Sequence, residues 1–399
     1  MARHSVTEVT HQGFGKRLTN SITGAILGGC LFIAAFPLLW WNEGRAISEY
    51  RALSEGADAV VNVANDRIAA ANEGKLVHVS GRVEATPLIA DAGIGVSVDG
   101  LALRRIVEMY QWQESRETHE KKTLGGGSDT VTEYKYQTDW DDDPINSADF
   151  HDASNYQNPS DWPLKSDGFA APEAKLGAFT LTDSVRAEIS DWRVLEPKLA
   201  ASYPQTYGSF RQIASGALYQ GDHPEQPKVG DLRIRYEYQP EAIFSVVARQ
   251  TGQQLDVYTS SNGRSVLLVS SGEVAAAKMF QGAQQRNSVI TWLLRLAGSL
   301  GMWLGLSMVF APISRVLDIL PMLGTIGSWG IALVTGLVSL LLSVLTIGIS
   351  WVFYRPLLGG TLIALALALF IWSRRRGAPA ATPTASPPPP PPPPAGAGT

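Results

Sequence analysis

Polar and apolar positions are strongly segregated along the chain. Residues 22–41 run for 20 positions without a charge. As a helix rising 1.5 Å per residue, that run spans about 30 Å, the hydrocarbon thickness of a bilayer. Pro37, Trp40 and Trp41 close it where an interfacial aromatic belt belongs, and no small-residue cleavage site follows. It reads as an uncleaved signal anchor. Residues 291–310 form a second candidate span whose one charge, Arg295, lies near its start and is expected to snorkel to the interface. Residues 331–353 form a third, uncharged span, and residues 357–372 a shorter fourth. Tyr354, Arg355 and Pro356 alone separate these two, so a tight helical hairpin is expected. In the connector 311–330, Ile313, Val316, Leu317 and Leu320 repeat at helical spacing opposite Ser314, Arg315 and Asp318. That pattern predicts an amphipathic helix on the membrane surface.

The pattern changes to a period of two between the first and second spans. Lys75–Ala85 alternates as a strand. Leu103–Glu114 and Thr130–Trp140, rich in Val, Tyr and Trp, flank Gly125-Gly126-Gly127 and predict a long β-hairpin. Leu232–Tyr238 alternates again, and Ile243–Gln250 with Gln254–Thr259 flanks Thr251-Gly252-Gln253 as a second hairpin. Val266–Val269 reads as a short buried strand. Three helical stretches are expected: from Ser48, giving way to a short strand before Ala71; Thr182–Trp192, capped at its start; and Glu273–Asn287, running on towards the second span. Asn155–Phe169 reads as a surface loop. The fold class is thus an α-helical integral membrane protein of four spans carrying a large α+β domain, residues 42–290, rich in antiparallel sheet.

Charge sharpens this picture. The chain of 399 residues carries a net charge of −4. Residues 42–290 hold 24 basic and 35 acidic residues, while the flanks hold 9 basic and 2 acidic ones. An acidic domain therefore sits between basic, apolar ends. Lys and Arg near the span ends set orientation. Arg3, Lys16 and Arg17 in the tail 1–21, and Arg374–Arg376 in the tail 373–399, place both tails in the cytoplasm and the domain outside it. The overall balance argues against a nucleic-acid partner. The single cysteine, Cys30, excludes an intramolecular disulfide or a cysteine zinc cluster. Eight consecutive prolines, Pro387–Pro394, give the tail polyproline II character without a core.

Candidate chemistry is sparse. The six histidines are scattered, and no HExxH, GxSxG or GxxxxGK[ST] motif occurs. No catalytic, cofactor or metal site is expected. The acids Asp139 and Asp141–Asp143 lack the glycine and spaced glutamate of a calcium loop and read as a solvated turn. His78, on a strand, reads as a satisfied core histidine. Small residues recur at four-residue spacing at Gly24 and Gly28, at Gly301 and Gly305, and at Gly360 and Ala364, which suits close helix packing in lipid. Thr335, Ser339, Ser343, Thr346 and Ser350 fall on one face of the third span and suit hydrogen bonding between helices. No Asp, Glu, His or Lys lies in any span, which argues against a transporter.

Several segments together resemble one family, transmembrane protein 43, also known as LUMA. They are Asn42-Glu43-Gly44-Arg45-Ala46, Asn72–His78, Leu103–Trp112, Ile145-Asn146-Ser147, Val229–Arg233, Val247–Gln250, Arg286-Asn287-Ser288 and Phe353–Leu357. The resemblance implies four spans, a large domain between the first two, self-association, and a role in organising membrane protein complexes. It implies the endoplasmic reticulum and inner nuclear membrane for animal relatives. The polyproline tail and Ala/Gly-rich composition point to a bacterial member, hence the plasma membrane. The expected function is therefore a non-enzymatic membrane scaffold that contacts membrane lipids, other membrane proteins and further copies of itself. The alternative is a lipid-handling protein or membrane enzyme working at the domain–bilayer junction through Arg104, Arg105, Glu108, Tyr354 and Arg355.

Overall fold

A computed structural model describes residues 4–123, 127–196, 210–213, 216–317 and 321–357, and parts of 360–372. The chain divides into two units, residues 1–346 and 347–399. Three helices are long and apolar enough to cross a membrane, within residues 15–59, 276–314 and 329–354. The helical positions described between 356 and 372 do not establish a fourth span. The tail from 373 and the tip glycines Gly125 and Gly126 lie outside the described residues.

Helix α1 runs from Phe14 to Ala59, far beyond the expected span 22–41. Its 46 residues reach about 69 Å, so it leaves the bilayer and enters the domain unbroken. Helix α2, Asp183–Ala187, is shorter than the expected Thr182–Trp192. The Thr182 hydroxyl donates to the Leu255 carbonyl at 2.9 Å rather than capping the helix. Trp192 is drawn beneath the Arg104 guanidinium, 4.4 Å from it, and Arg193–Leu195 joins a sheet. Helix α3, Ala276–Leu317, merges the expected 273–287 helix, the second span and the first part of the connector. Helix α4 is Pro321–Tyr354. Of the connector 311–330, residues 311–317 continue α3 through Pro312 and 321–330 belong to α4, while Asp318 and Leu320 lie outside the described residues; Pro321 occupies the first position of α4, where its missing N–H costs nothing.

Two sheets build the domain. In one, the pairings close into a ring. Leu76–Thr86 pairs with Ile243–Thr251 and with Glu173–Leu176. The ring continues through Phe179–Leu181 and Gln254–Asp256 back to Ile243–Thr251. Val77, Val79, Phe179, Phe244, Val246 and Leu255 fill its interior, and α2 adds Val185. In the other sheet, the predicted hairpin forms between Ala102–Lys122 and Ser128–Asp141, and Leu232–Gln239 pairs with the first of these strands. Leu103, Val107, Met109, Leu232, Ile234 and Tyr236 bury its inner half together with Trp162 and Leu164, so the expected loop 155–169 also seals a core.

The outer half of the hairpin is a polar arm. From Met109–Asp141 to Lys122–Ser128 it extends 13 steps, or about 44 Å at 3.4 Å each. His4–Gln12 pairs with Ser128–Tyr136 along its whole length. A strand thus precedes α1 directly, and its pairing sets residues 4–12 of the expected cytoplasmic tail 1–21 beside the domain's arm rather than across the membrane from the domain. Arg17, 4% exposed, closes on the arm tip, with its guanidinium 3.0 Å from Glu120 and donating to the Gly127 carbonyl at 3.2 Å. The sequence hid this strand because its apolar residues Val6 and Val9 do not alternate and its partner lies over a hundred residues away.

Candidate functional site: the polar layer at the head of the helix pair

Helices α1 and α3 pack antiparallel. Their closest approach uses two glycines. A Cβ on Gly28 would lie 2.5 Å from the Met308 Cβ and 2.7 Å from the Gly305 carbonyl oxygen, and one on Gly305 would lie 2.6 Å from the Phe32 nitrogen. Only glycine permits that crossing. Gly24 faces open space, Gly301 meets only Leu31 at 3.8 Å, and Gly360 meets nothing within 4 Å. Ala364 is exposed. A residue the spacing overlooked, Gly298, takes Leu39 against its Cα.

The polar stripe of α4 faces α3. Thr335, Ser339 and Ser343 are buried, as is Ser350 in the second unit. The Thr335 and Ser307 hydroxyls lie 2.9 Å apart, and the Ser343 hydroxyl donates to the Met302 sulfur at 3.6 Å. Thr346, half-buried, donates to the Leu342 carbonyl of its own helix.

Above the glycine crossing, where the helix pair leaves the apolar zone, the packing turns polar. Glu43 is 0% exposed. Both its oxygens accept from Arg295, Nε at 2.6 Å and NH2 at 2.8 Å. Arg295 therefore does not snorkel; it stays in the helix interface because a buried carboxylate waits opposite, and its guanidinium also lies 4.7 Å from the Trp292 ring. Two residues further along α1, Arg45 donates to the Asn287 side-chain oxygen and to the Thr291 hydroxyl, each at 3.0 Å. Asn42 donates to the Thr291 carbonyl and Asn287 to the Ala46 carbonyl. Such a layer fixes register, because a slip of one residue would strand a buried charge. Its signal in the sequence was the pair of segments Asn42–Ala46 and Arg286–Ser288, but composition alone gives them no role.

The residues of the alternative reading lie elsewhere. Arg104 pairs with Glu237 on the neighbouring strand. Arg105 is buried against Asp91, which also accepts from the Tyr236 hydroxyl at 2.8 Å. Glu108 accepts from Arg233 at 2.7 Å and from Arg235 at 2.8 Å. Burial pushes the Glu108 carboxyl up, but the hydrogen bonds from Arg235 and Arg233 outweigh it and hold the group below its ordinary range. Arg104 and Glu108 cross-link strands within the sheet, and Arg105 ties the sheet to the separate strand Ile89–Asp91. Tyr354 ends α4 and Arg355 follows it, both in the second unit. His78 is held between the Asn62 side chain and the Val274 carbonyl. Asp141, Asp142 and Asp143 bring carboxylate oxygens within 4.8 Å of one another on an exposed turn, where two of the Asp141 contacts are hydrogen bonds to Asp143 and Gln113.

Comparison with known proteins agrees with these segments. The family profile described as Transmembrane protein 43 matches residues 109–356. The mouse protein Transmembrane protein 43 is 32% identical over 380 residues, covering 92% of this chain and 94% of its own. The human protein of that name is 32% identical over 376 residues, covering 91% and 92%. A Drosophila melanogaster homolog is 28% identical over 360 residues, covering 88% and 94%. No solved structure matches the chain. The apolar helices make this an integral membrane protein, and the likeness extends almost from end to end: the chain belongs to the transmembrane protein 43 family.

Proposed function

We propose that this chain is a non-enzymatic membrane scaffold that holds other membrane proteins, and further copies of itself, at a fixed height above the bilayer. The observation that carries this reading is the stalk. Helices α1 and α3 each pass unbroken from an apolar, bilayer-length stretch into the domain, and the Glu43–Arg295 layer locks them together where they emerge. Their inner ends are then built into the domain, since Ala52, Leu53, Met279 and Phe280 share one core with Leu76 and Val247. A hinge between membrane and domain would suit a gate or a carrier; a rigid junction suits a platform. The basic flanks favour an extracytoplasmic domain, yet the same rule would leave His4–Gln12 in the cytoplasm, apart from the Ser128–Tyr136 strand it pairs with, so the side of the domain rests on the labelling test below.

Two measurements test this. Cross-linking in intact membranes, followed by isolation of the tagged chain, is expected to return a reproducible set of membrane proteins and cross-linked multimers. Recovery of monomer alone counts against a scaffold. For orientation, S160C in a C30S background is expected to react with an impermeant maleimide from outside intact cells. Labelling only after the membrane is broken would reverse the assigned sides.

A further inference from the structure

A cleft of about 290 Å³ lies against the stalk just above the polar layer. One wall is a single face of α1, carrying Arg45, Glu49 and Leu53 at helical spacing. The facing wall is α3, with Arg286, Asn287 and Ile290, and Glu188 closes the side. The cleft thus offers two guanidinium groups and two carboxylates around an apolar base of Leu53 and Val266. Its charges are not used up internally. The Arg286 and Glu188 side chains make no hydrogen bond or ion pair among the described residues. Arg45 spends both terminal nitrogens on the polar layer, yet its Nε is buried with no hydrogen-bond partner. A buried donor left in that state costs about 1–3 kcal/mol, and an anion in the cleft would relieve it.

Position selects the ligand. Arg45 stands four residues past Trp41, the end of the uncharged stretch, and Ile290 immediately precedes residue 291, the start of the second span. Arg45 and Glu49 therefore rise about 6–12 Å above the hydrocarbon edge, within the headgroup layer. At the small end of the ~300–1,000 Å³ range of ligand sites, the cleft suits a headgroup whose acyl chains stay in the bilayer. The paired signs select a zwitterion rather than a purely anionic group.

We propose that this cleft binds a membrane phospholipid with a phosphoethanolamine headgroup. The phosphate faces Arg286 and the Arg45 Nε–H, and the primary ammonium faces Glu49 and Glu188. A primary ammonium donates hydrogen bonds to both carboxylates; a quaternary choline cannot. The proposal needs no protein partner, so it stands or falls independently of the scaffold reading.

Native mass spectrometry of the full chain in detergent, doped in turn with phosphatidylethanolamine, phosphatidylcholine and phosphatidylglycerol, tests this. One retained phosphatidylethanolamine per chain is expected, preferred at least tenfold over the other two. R286A is expected to cut its retention at least fivefold. E188Q is expected to erase the preference over phosphatidylglycerol. Arg286 and Glu188 are exposed, so both variants leave the core untouched. R82A, on the barrel strand, serves as a control that changes nothing. Equal retention of the three lipids, or unchanged retention in R286A, overturns the proposal. Displacement of the lipid by millimolar soluble phosphoethanolamine also overturns it, in favour of a free phosphate monoester.

Discussion

Removing Arg295 from the helix interface leaves Glu43 charged, buried and alone. In R295M the methionine fills much of the same volume, so the loss is electrostatic rather than a cavity. Breaking a buried ion pair by deleting one partner costs about 3–5 kcal/mol. The pair is bidentate and Glu43 has no exposure, so screening offers no relief. The unfolding constant of R295M should therefore rise by about 10²–10⁴. In E43L/R295M both charges are gone, and the stability should return to within about 1–2 kcal/mol of wild type. Trp292, beside Arg295, is one of eleven tryptophans, and tryptophan fluorescence during denaturant unfolding in detergent follows the overall transition. The quantity to extract is the coupling energy of the four-protein cycle. If R295M costs under 1 kcal/mol, or if the two single losses simply add, the layer does not lock the stalk.

Three more outcomes follow from the geometry. G28L should weaken the α1–α3 crossing by about 1–3 kcal/mol through overpacking, whereas G24L, facing open space, should be silent; thermal melts in detergent compare the two. Because Glu108 is held below the usual glutamate range, its contribution is present above that range and is lost as pH falls through its folded pKa; E108Q should be less stable at pH 7 and show a flatter acid limb in a pH series of melts. V9C/V131C in a C30S background should form an intramolecular disulfide on mild oxidation, since Val9 and Val131 are register partners; a mobility shift under non-reducing conditions reads it, and its absence would sink the N-terminal strand pairing.

Much of the architecture was legible because hydropathy has a period. The runs at 22–41, 291–310 and 331–353 fall within long helices, and the hairpin about Gly125–Gly127 forms where Val, Tyr and Trp alternate. What escaped depends on distant partners. Arg295 looks like a snorkelling residue until Glu43, 252 residues earlier, is placed opposite it. The helix from Thr182 stops early because Trp192 and Arg193–Leu195 find tertiary partners that outcompete a helical turn. Small-residue spacing offered Gly24 and Gly28 as equals, and only the crossing geometry separates them. Arg104, Arg105 and Glu108 drew attention as a charged cluster in an apolar strand; cross-strand partners on other segments account for all three.

The N-terminal strand also imposes an order on biosynthesis. His4–Gln12 is among the first segments made, yet its partner Ser128–Tyr136 leaves the ribosome more than a hundred residues later. At 5–20 residues per second, the strand waits roughly 6–25 s with its edge unpaired. Helix α1 is complete long before then, so the sheet gains this edge strand only after the helix that follows it has formed. Glu8 and the histidines at 4 and 11 keep the waiting edge polar, which discourages pairing with other nascent chains. The first residues translated are thus among the last to find their place.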